Sequence, residues 1–122
     1  MSQRMIAIVD DDEALREGMK SLVRSLGYAV STFGSAEEFL KSEQVSDTSC
    51  LITDLHMPGL SGLDLQDLLV GRGHRFPIIF LTAYPDEDVR IRAMKAGAIG
   101  FLCKPCSDEN LLGYLNKAFK AA

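Results

Sequence analysis

Several residues that could carry out chemistry stand directly after short apolar segments of the chain. Two adjacent acids, Asp10 and Asp11, follow the first such segment, and Asp54 follows a later one. Thr82 and Lys104 follow two further apolar segments. Taken singly, an Asp or a Thr in this position is usually a turn or cap residue, and a Lys is usually solvated. Three carboxylates, one hydroxyl and one ammonium on four segment ends are difficult to explain by turn chemistry alone.

The chemistry of these groups is complementary. Carboxylate oxygens are hard ligands suited to Mg²⁺, and a cation would relieve the repulsion among Asp10, Asp11 and Asp54. An ammonium and a hydroxyl beside that cation would bind the dispersed negative charge of a phosphoryl group. A carboxylate can itself attack phosphorus, and Asp54, which stands apart from the acid pair, is the predicted nucleophile. The chain contains no GxxxxGK[ST] loop, so a bound nucleotide is not implied.

The segments that would position these groups alternate between two hydrophobic patterns. Short, continuously apolar segments are typical of strands buried on both faces of a sheet, whereas apolar residues spaced three and four apart indicate one face of a helix. A capping box from Ser35 to Glu38 marks one helix start. The predicted strands cover residues 5–9, 28–33, 50–53, 77–81 and 99–103. The predicted helices cover residues 12–26, 35–42, 62–70, 86–96 and 107–120.

Strict alternation of five strands and five helices predicts an α/β fold with a doubly wound parallel sheet. Crossover connections between parallel strands are right-handed, so the helices must cover both faces of one sheet. In such folds, ligands bind outside the carboxyl ends of the strands. The acids, the hydroxyl and the ammonium are therefore expected to converge on one edge of the sheet.

Length and composition restrict the remaining classes of protein. The chain has 122 residues, 47% of them hydrophobic and 25% charged, with a net charge of −4. We therefore expect one globular domain over residues 1–122, with no second domain in the chain and no basic surface for nucleic acid. No apolar segment approaches the roughly 20 residues of a membrane span, and no signal peptide is apparent. With three cysteines and no disulfide framework, these features predict a cytoplasmic protein.

The sequence resembles the receiver domains of two-component response regulators, in particular those of the FixJ-like branch. The motifs that carry the resemblance are VDDD at 9–12, DLHMPG at 54–59, SG at 61–62, TA at 82–83, AMKAGA at 93–98 and KP at 104–105. It implies a flavodoxin-like sheet of strand order 2-1-3-4-5. It also implies a phosphoacceptor domain that takes its phosphoryl group from a sensor histidine kinase.

The resemblance implies roles for individual acids. Asp54 would be the phosphoacceptor. Asp10, Asp11 and Asp54 would hold Mg²⁺, with the backbone carbonyl of His56 as a further ligand. Asp11 would be the most direct acidic ligand, and Asp10 would act through water. The domain would catalyse only its own phosphorylation and the slow hydrolysis of the product, without a separate substrate.

The resemblance also implies roles for five residues near the ends of the fourth and fifth strands. Thr82 and the backbone amide of Ala83 would hydrogen-bond the phosphoryl oxygens, and Lys104 would form an ion pair with them. Pro105 would follow a cis peptide bond that aims Lys104 into the site. Phe101 occupies the aromatic switch position of the family and would follow the movement of Thr82, although a plain core role also fits it.

The expected output surface is the face of the fourth helix and the fifth strand. On that helix, Ile91 and Lys95 are expected to point outward, and Val89 and Ala93 inward. Similar receivers pair through this face, so we expect a weak homodimer that forms on phosphorylation. Control of transcription would use an output domain that this chain does not contain, and only that domain would contact DNA. No membrane partner is expected.

Two other classes of protein remain as alternatives. Cys103 and Cys106 form a C-x-x-C between a strand and a helix, which is the context of a thioredoxin-like motif. This motif would suit a thiol–disulfide oxidoreductase or a redox-modulated receiver, although two reduced thiols without a function also fit. A phosphatase of the haloacid dehalogenase type also uses an Asp at a strand end, but it needs a second Asp where this chain has His56.

Overall fold

The computed structural model describes residues 4–104 and 107–119, and its strands and helices alternate as the hydrophobic patterns predict. The strands are β1 (Met5–Val9), β2 (Ala29–Phe33), β3 (Cys50–Asp54), β4 (Ile78–Thr82) and β5 (Gly100–Cys103). The helices are α1 (Glu13–Ser25), α2 (Ala36–Lys41), α3 (Gly62–Gly71), α4 (Glu87–Lys95) and α5 (Asp108–Phe119). A short 3₁₀ turn at Val45–Asp47, which the patterns did not indicate, precedes β3.

The strands form one parallel sheet of order β2-β1-β3-β4-β5. Alternate residues of β1 enter different apolar clusters, Ala7 in one and Ile8 in the other. Because successive side chains of a strand point to opposite faces, the two clusters are the two sides of a sheet covered by helices. The predicted doubly wound fold and strand order are confirmed. Among the described residues, no helix is both long and apolar enough to cross a membrane.

Two of the observed strand ends differ from the predicted ones at reactive side chains. β3 continues to Asp54 and β4 continues to Thr82, one residue beyond each predicted range. Asp54 lies opposite Leu81, and Thr82 lies opposite Cys103, in the sheet register. An apolar pattern stops at the first polar residue, whereas backbone pairing does not depend on side-chain polarity. The sheet itself therefore positions both side chains.

Side-chain hydrogen bonds cap the first turns of α2 and α3, although one of them in α2 has a different partner from the predicted one. The Ser35 hydroxyl accepts from the Glu38 N–H at 3.0 Å, as predicted. The Glu38 carboxylate, however, accepts from the Gly34 N–H at 2.9 Å, so only half of the predicted capping box forms. A complete box forms between Ser61 and Asp64, and it begins α3 directly after the loop that follows Asp54.

Helix α4 presents the faces expected from its sequence. Ala93 is fully buried, Val89 is half-buried, and Ile91 and Lys95 are exposed. The buried Gln66 amide of α3 donates to the Ala93 carbonyl at 3.0 Å. Helix α4 is thus attached to α3 through the contact of Gln66 with Ala93 and through an exposed ion pair from Arg92 to Asp67 at 3.1 Å, while Ile91 and Lys95 stay exposed.

Alanine at Gly62 and at Gly113 is predicted to have opposite effects on stability. A Cβ at Gly62 would lie 2.5 Å from the backbone oxygen of Asp54. Gly62→Ala should therefore lower the free energy of unfolding by about 1–3 kcal/mol. A Cβ at Gly113, inside α5, would meet nothing within 4 Å, so Gly113→Ala should raise it by about 0.5–1 kcal/mol. Urea unfolding followed by circular dichroism measures both, and shifts of the same sign would contradict this packing.

Candidate functional site

The carboxyl ends of β1 and β3 bring three acids together. Carboxylate oxygens of Asp10, Asp11 and Asp54 lie within 4.8 Å of one another. Asp10 is fully buried and Asp54 is 5% exposed, whereas Asp11 faces solvent. The acids that the sequence placed at one edge of the sheet therefore form one cluster with an open side.

Asp10 is held through both its backbone and its side chain. Its N–H donates to the Phe33 carbonyl of β2 at 3.1 Å, and its Oδ1 accepts from the Asp12 N–H at 2.9 Å. Its backbone carbonyl accepts from Arg16 Nη1 at 2.7 Å. Sequence reasoning missed Arg16, for which the available signal was a basic residue in α1 shortly after four consecutive acids. These contacts fix the direction of a buried carboxylate.

Lys104 reaches the acids from the end of β5. Its Nζ is 3.2 Å from Asp10 Oδ2 and 3.2 Å from Asp54 Oδ2. Its backbone N–H donates to the Thr82 carbonyl at 2.7 Å and so extends the pairing of β4 with β5. Burial lowers the pKa of Lys104, but the hydrogen bonds and charges of Asp10 and Asp54 outweigh it, and the pKa is raised overall. The ammonium therefore stays charged at neutral pH.

The electrostatics of Asp54 reflect its crowded position. Burial raises its pKa, and the nearby charge of Asp10 raises it further. Lys104 lowers the pKa of Asp54, and so does the backbone N–H of His56, which donates to the carboxylate. The pKa nevertheless stays above its ordinary value. Three carboxylates and one ammonium leave two negative charges, three minus one, at this edge. A divalent cation would remove that surplus, and an all-oxygen donor set fits Mg²⁺.

Strand β4 places Thr82 at the same edge of the sheet. Its side chain is fully buried, and its hydroxyl oxygen accepts from the Tyr84 N–H at 3.0 Å. Ala83 is exposed, and Tyr84 is 74% exposed. The rings of Tyr84 and His56 are in contact, with centroids 6.0 Å apart. The His56 side chain is exposed, and the sequence did not indicate this ring contact between two separate loops.

The remaining predicted residues lie at the end of β5. Phe101 is half-buried and packs against Phe80 with ring centroids 6.3 Å apart, so it touches the core while keeping an exposed side. Cys103 is an exposed, free cysteine. Pro105 and Cys106 lie outside the described residues, so the cis peptide bond and the state of the C-x-x-C stay predictions.

Comparisons with known proteins identify relatives over nearly the whole chain. A family model described as the response regulator receiver domain matches residues 6–116. The chain is 45% identical over 124 residues to response regulator protein TodT of Pseudomonas putida, covering 100% of the chain and 55% of TodT. It is 34% identical over 117 residues to transcriptional regulatory protein FixJ of Bradyrhizobium diazoefficiens, covering 96% and 57%. The chain thus spans about half the length of these curated relatives.

Solved structures give the same result. The response regulator StyR is similar with a TM-score of 0.90 and 40% identity, covering 98% of this chain and 60% of the StyR chain. The structure of FixJ-N is similar with a TM-score of 0.85 and 33% identity, covering 100% of this chain and 99% of that chain. These similarities do not support the thiol–disulfide oxidoreductase or the haloacid dehalogenase alternative.

The pKa of Asp54 predicts how stability depends on pH in metal-free protein. Because the pKa of the folded state lies above the ordinary value of 3.8, the folded protein binds more protons than the unfolded chain above that pH. The contribution of Asp54 to stability should therefore fall as the pH rises from 3.8 through the raised pKa. Urea unfolding in EDTA should show Asp54→Asn gaining stability relative to the unsubstituted protein over this window.

The exposed Asp47→Asn substitution serves as the control for the loss of one carboxylate. It should change stability little across the same window. An Asp54→Asn difference that stays flat, or moves in the opposite direction, would contradict the electrostatics described here.

Proposed function

The chain belongs to the response regulator receiver domain family, and from that premise we propose that Asp54 accepts a phosphoryl group from a phosphohistidine of a sensor histidine kinase. The observation that carries the proposal is the contact of the Lys104 ammonium with both Asp10 and Asp54 beside the exposed Asp11. It combines a nucleophile, a metal-binding acid set and a fixed cation at an open edge.

In the proposed transfer, a carboxylate oxygen of Asp54 attacks the phosphorus atom. The new O–P bond forms as the N–P bond of the phosphohistidine breaks, and the imidazole nitrogen keeps the electron pair. Lys104 lies where it can bind a phosphoryl oxygen, and the Thr82 hydroxyl and the Ala83 amide provide further donors. Bound Mg²⁺ would supply positive charge to the phosphoryl oxygens. Asp11, Asp54 and the carbonyl of His56 would hold it directly, and Asp10 would hold it through water.

The same site would also end the signal. Attack of water on phosphorus would break the O–P bond, release phosphate and restore the Asp54 carboxylate. The domain would thus catalyse only its own phosphorylation and dephosphorylation, with no separate substrate to convert.

The proposed response follows the new charge from the site to α4 and β5. A phosphoryl group adds about −1.5 to −2 charge at neutral pH. Lys104 and Thr82 would move toward it. Phe101, two residues before Cys103, which pairs with Thr82 in the sheet, would change its packing. Ile91 and Lys95 lie on the exposed side of α4, where such a change can reach a partner. We propose that phosphorylated copies form a weak homodimer through this face.

The wider role of the full-length protein is part of the same proposal. TodT and FixJ are named as a response regulator and a transcriptional regulatory protein, and each is nearly twice as long as the matched region. We propose that a receiver of this kind acts in the cytoplasm and controls transcription through a DNA-binding output domain. The receiver itself would contact the kinase and its own copy, not DNA or a membrane.

Phosphorylation should occur at Asp54 alone. Incubation with acetyl phosphate and Mg²⁺ should add the mass of one phosphoryl group, as measured by intact mass spectrometry. Asp54→Asn should show no gain, since the nucleophile is absent. EDTA should also abolish it, because without a divalent cation the three carboxylates outweigh the charge of Lys104 and the site repels an anion.

The exposed Asp47→Asn variant, which removes a carboxylate before the start of β3 and so at the opposite end of that strand from Asp54, should be phosphorylated normally. Labelling that persists in Asp54→Asn would assign the phosphoacceptor to another residue.

Dimerisation should depend on both the phosphoryl group and Ile91. Sedimentation with beryllofluoride, which stands in for the phosphoryl group, should show a dimer, and protein without it should remain a monomer. A two-fold dimer brings each residue near its own symmetry mate, so Ile91→Asp would place like charges together and weaken association about tenfold or more.

Leu26→Asp is the matched control, because Leu26 lies at the end of α1 with an exposure of 36%, close to the 40% of Ile91. It should dimerise like the unsubstituted protein. Dimers that ignore Ile91→Asp, or that form equally without beryllofluoride, would place the output on another surface.

A further inference from the structure

The loop between β3 and α3, residues 55–61, contains His56, whose backbone carbonyl is the further metal ligand of the proposed function. Its base is closed by the Gly62 N–H, which donates to the Leu55 carbonyl at 2.9 Å. Gly59 in the second half of the loop has φ of +78°, a conformation that favours glycine. The base is therefore fixed by backbone pairing, and the orientation of His56 depends on what holds the second half.

Glu37 of α2 contacts that second half from a distant part of the sequence. Its Oε2 accepts from the Leu60 N–H at 3.3 Å, across 23 residues. A Cβ on Gly59 would collide with the same carboxylate, so the carboxylate lies directly against the loop backbone. Its second oxygen, Oε1, is buried and has no hydrogen-bond partner among the described residues.

An acid in the first turn of a helix is often present only to complement the helix dipole. The next residue, Glu38, illustrates that local role, since it is exposed and caps the nearby Gly34 N–H. Glu37 differs because it faces a loop from another part of the chain. A buried carboxylate oxygen without a donor costs free energy, and the 3.3 Å bond is long, so the contact is incomplete in this state.

We propose that Glu37 is a positioning residue that holds the loop of residues 55–61 and thereby directs the His56 carbonyl toward the metal. By holding the loop, Glu37 increases the affinity for Mg²⁺ without touching the ion. The metal part of this inference rests on the proposed function, whereas the anchoring of the loop does not.

The test compares Glu37→Ala, which removes the acceptor, with Glu37→Gln, which keeps an acceptor oxygen without the charge. Amide hydrogen exchange measured by NMR should show the Leu60 N–H exchanging about tenfold faster in the Ala variant, because its hydrogen bond is lost. Each rate is taken relative to the Ile52 amide in β3, so that a general loss of stability cancels. The Gln variant should retain most of the protection.

Calorimetric titration with Mg²⁺ supplies the second measurement. Residues that orient metal ligands typically change affinity by about 10–100-fold when removed, so Glu37→Ala should bind Mg²⁺ at least about tenfold more weakly. Glu37→Gln should recover most of the affinity. The exposed Glu43→Ala variant, which removes a charge of the same sign nearby in sequence, should match the unsubstituted protein.

Unchanged Leu60 exchange in Glu37→Ala would overturn the anchoring, and unchanged Mg²⁺ affinity with faster exchange would overturn the link to the metal. Equal losses of affinity in the Ala and Gln variants would show that only charge matters and would also overturn the positioning role. If the unsubstituted protein bound no Mg²⁺, the proposed metal site would fail, while the Leu60 measurement would still decide the anchoring.

Discussion

Two ion pairs made by one ammonium group, from Lys104 to Asp10 and to Asp54, hold the buried acids together at the carboxyl edge of the sheet. Both carboxylates are buried, and a buried charge without a partner is strongly destabilising. Lys104 offsets only part of the negative charge, because Asp11 adds a third carboxylate to the cluster. The ion pairs therefore allow the protein to fold with these acids buried, and the remaining negative charge favours the binding of a divalent cation. Most other features of the site serve this balance.

The strand order determines how that balance can be achieved. Strand β4 lies between β3 and β5, so Lys104 has to extend past β4 to contact the acids of β1 and β3. The Thr82 carbonyl holds the Lys104 backbone at the end of β4. A long, flexible side chain suits this position, since it can keep its contacts while the charge at Asp54 changes. Under the proposed function, this is how a charge added at β3 acts on β5 and α4.

Groups outside the acid cluster hold the backbone that carries it. Arg16 of α1 binds the carbonyl of Asp10, and Glu37 of α2 binds the N–H of Leu60 in the loop after Asp54. Gly62 allows α3 to begin against the Asp54 carbonyl, where any side chain would collide. Helices on both faces of the sheet thus contribute to one edge. Hydrogen bonds hold Asp10 and the start of the loop after Asp54, whereas Asp11, His56 and Tyr84 are exposed, which leaves this side of the site open to a partner.

The sequence alone determined the fold class and the membership of the acid cluster. Apolar runs alternating with helical patterns require a covered parallel sheet, and the carboxyl ends of parallel strands share one edge, so Asp10, Asp11 and Asp54 had to meet there. Only the tertiary structure decided which backbone groups are held by Arg16 and Glu37, and that His56 meets Tyr84. Hydrophobic periodicity predicts which residues enter the core. The same periodicity is compatible with any direction of a polar side chain, so it does not predict that direction. The direction of a polar side chain depends on loop conformations and on partners far away in the chain, which no local pattern records.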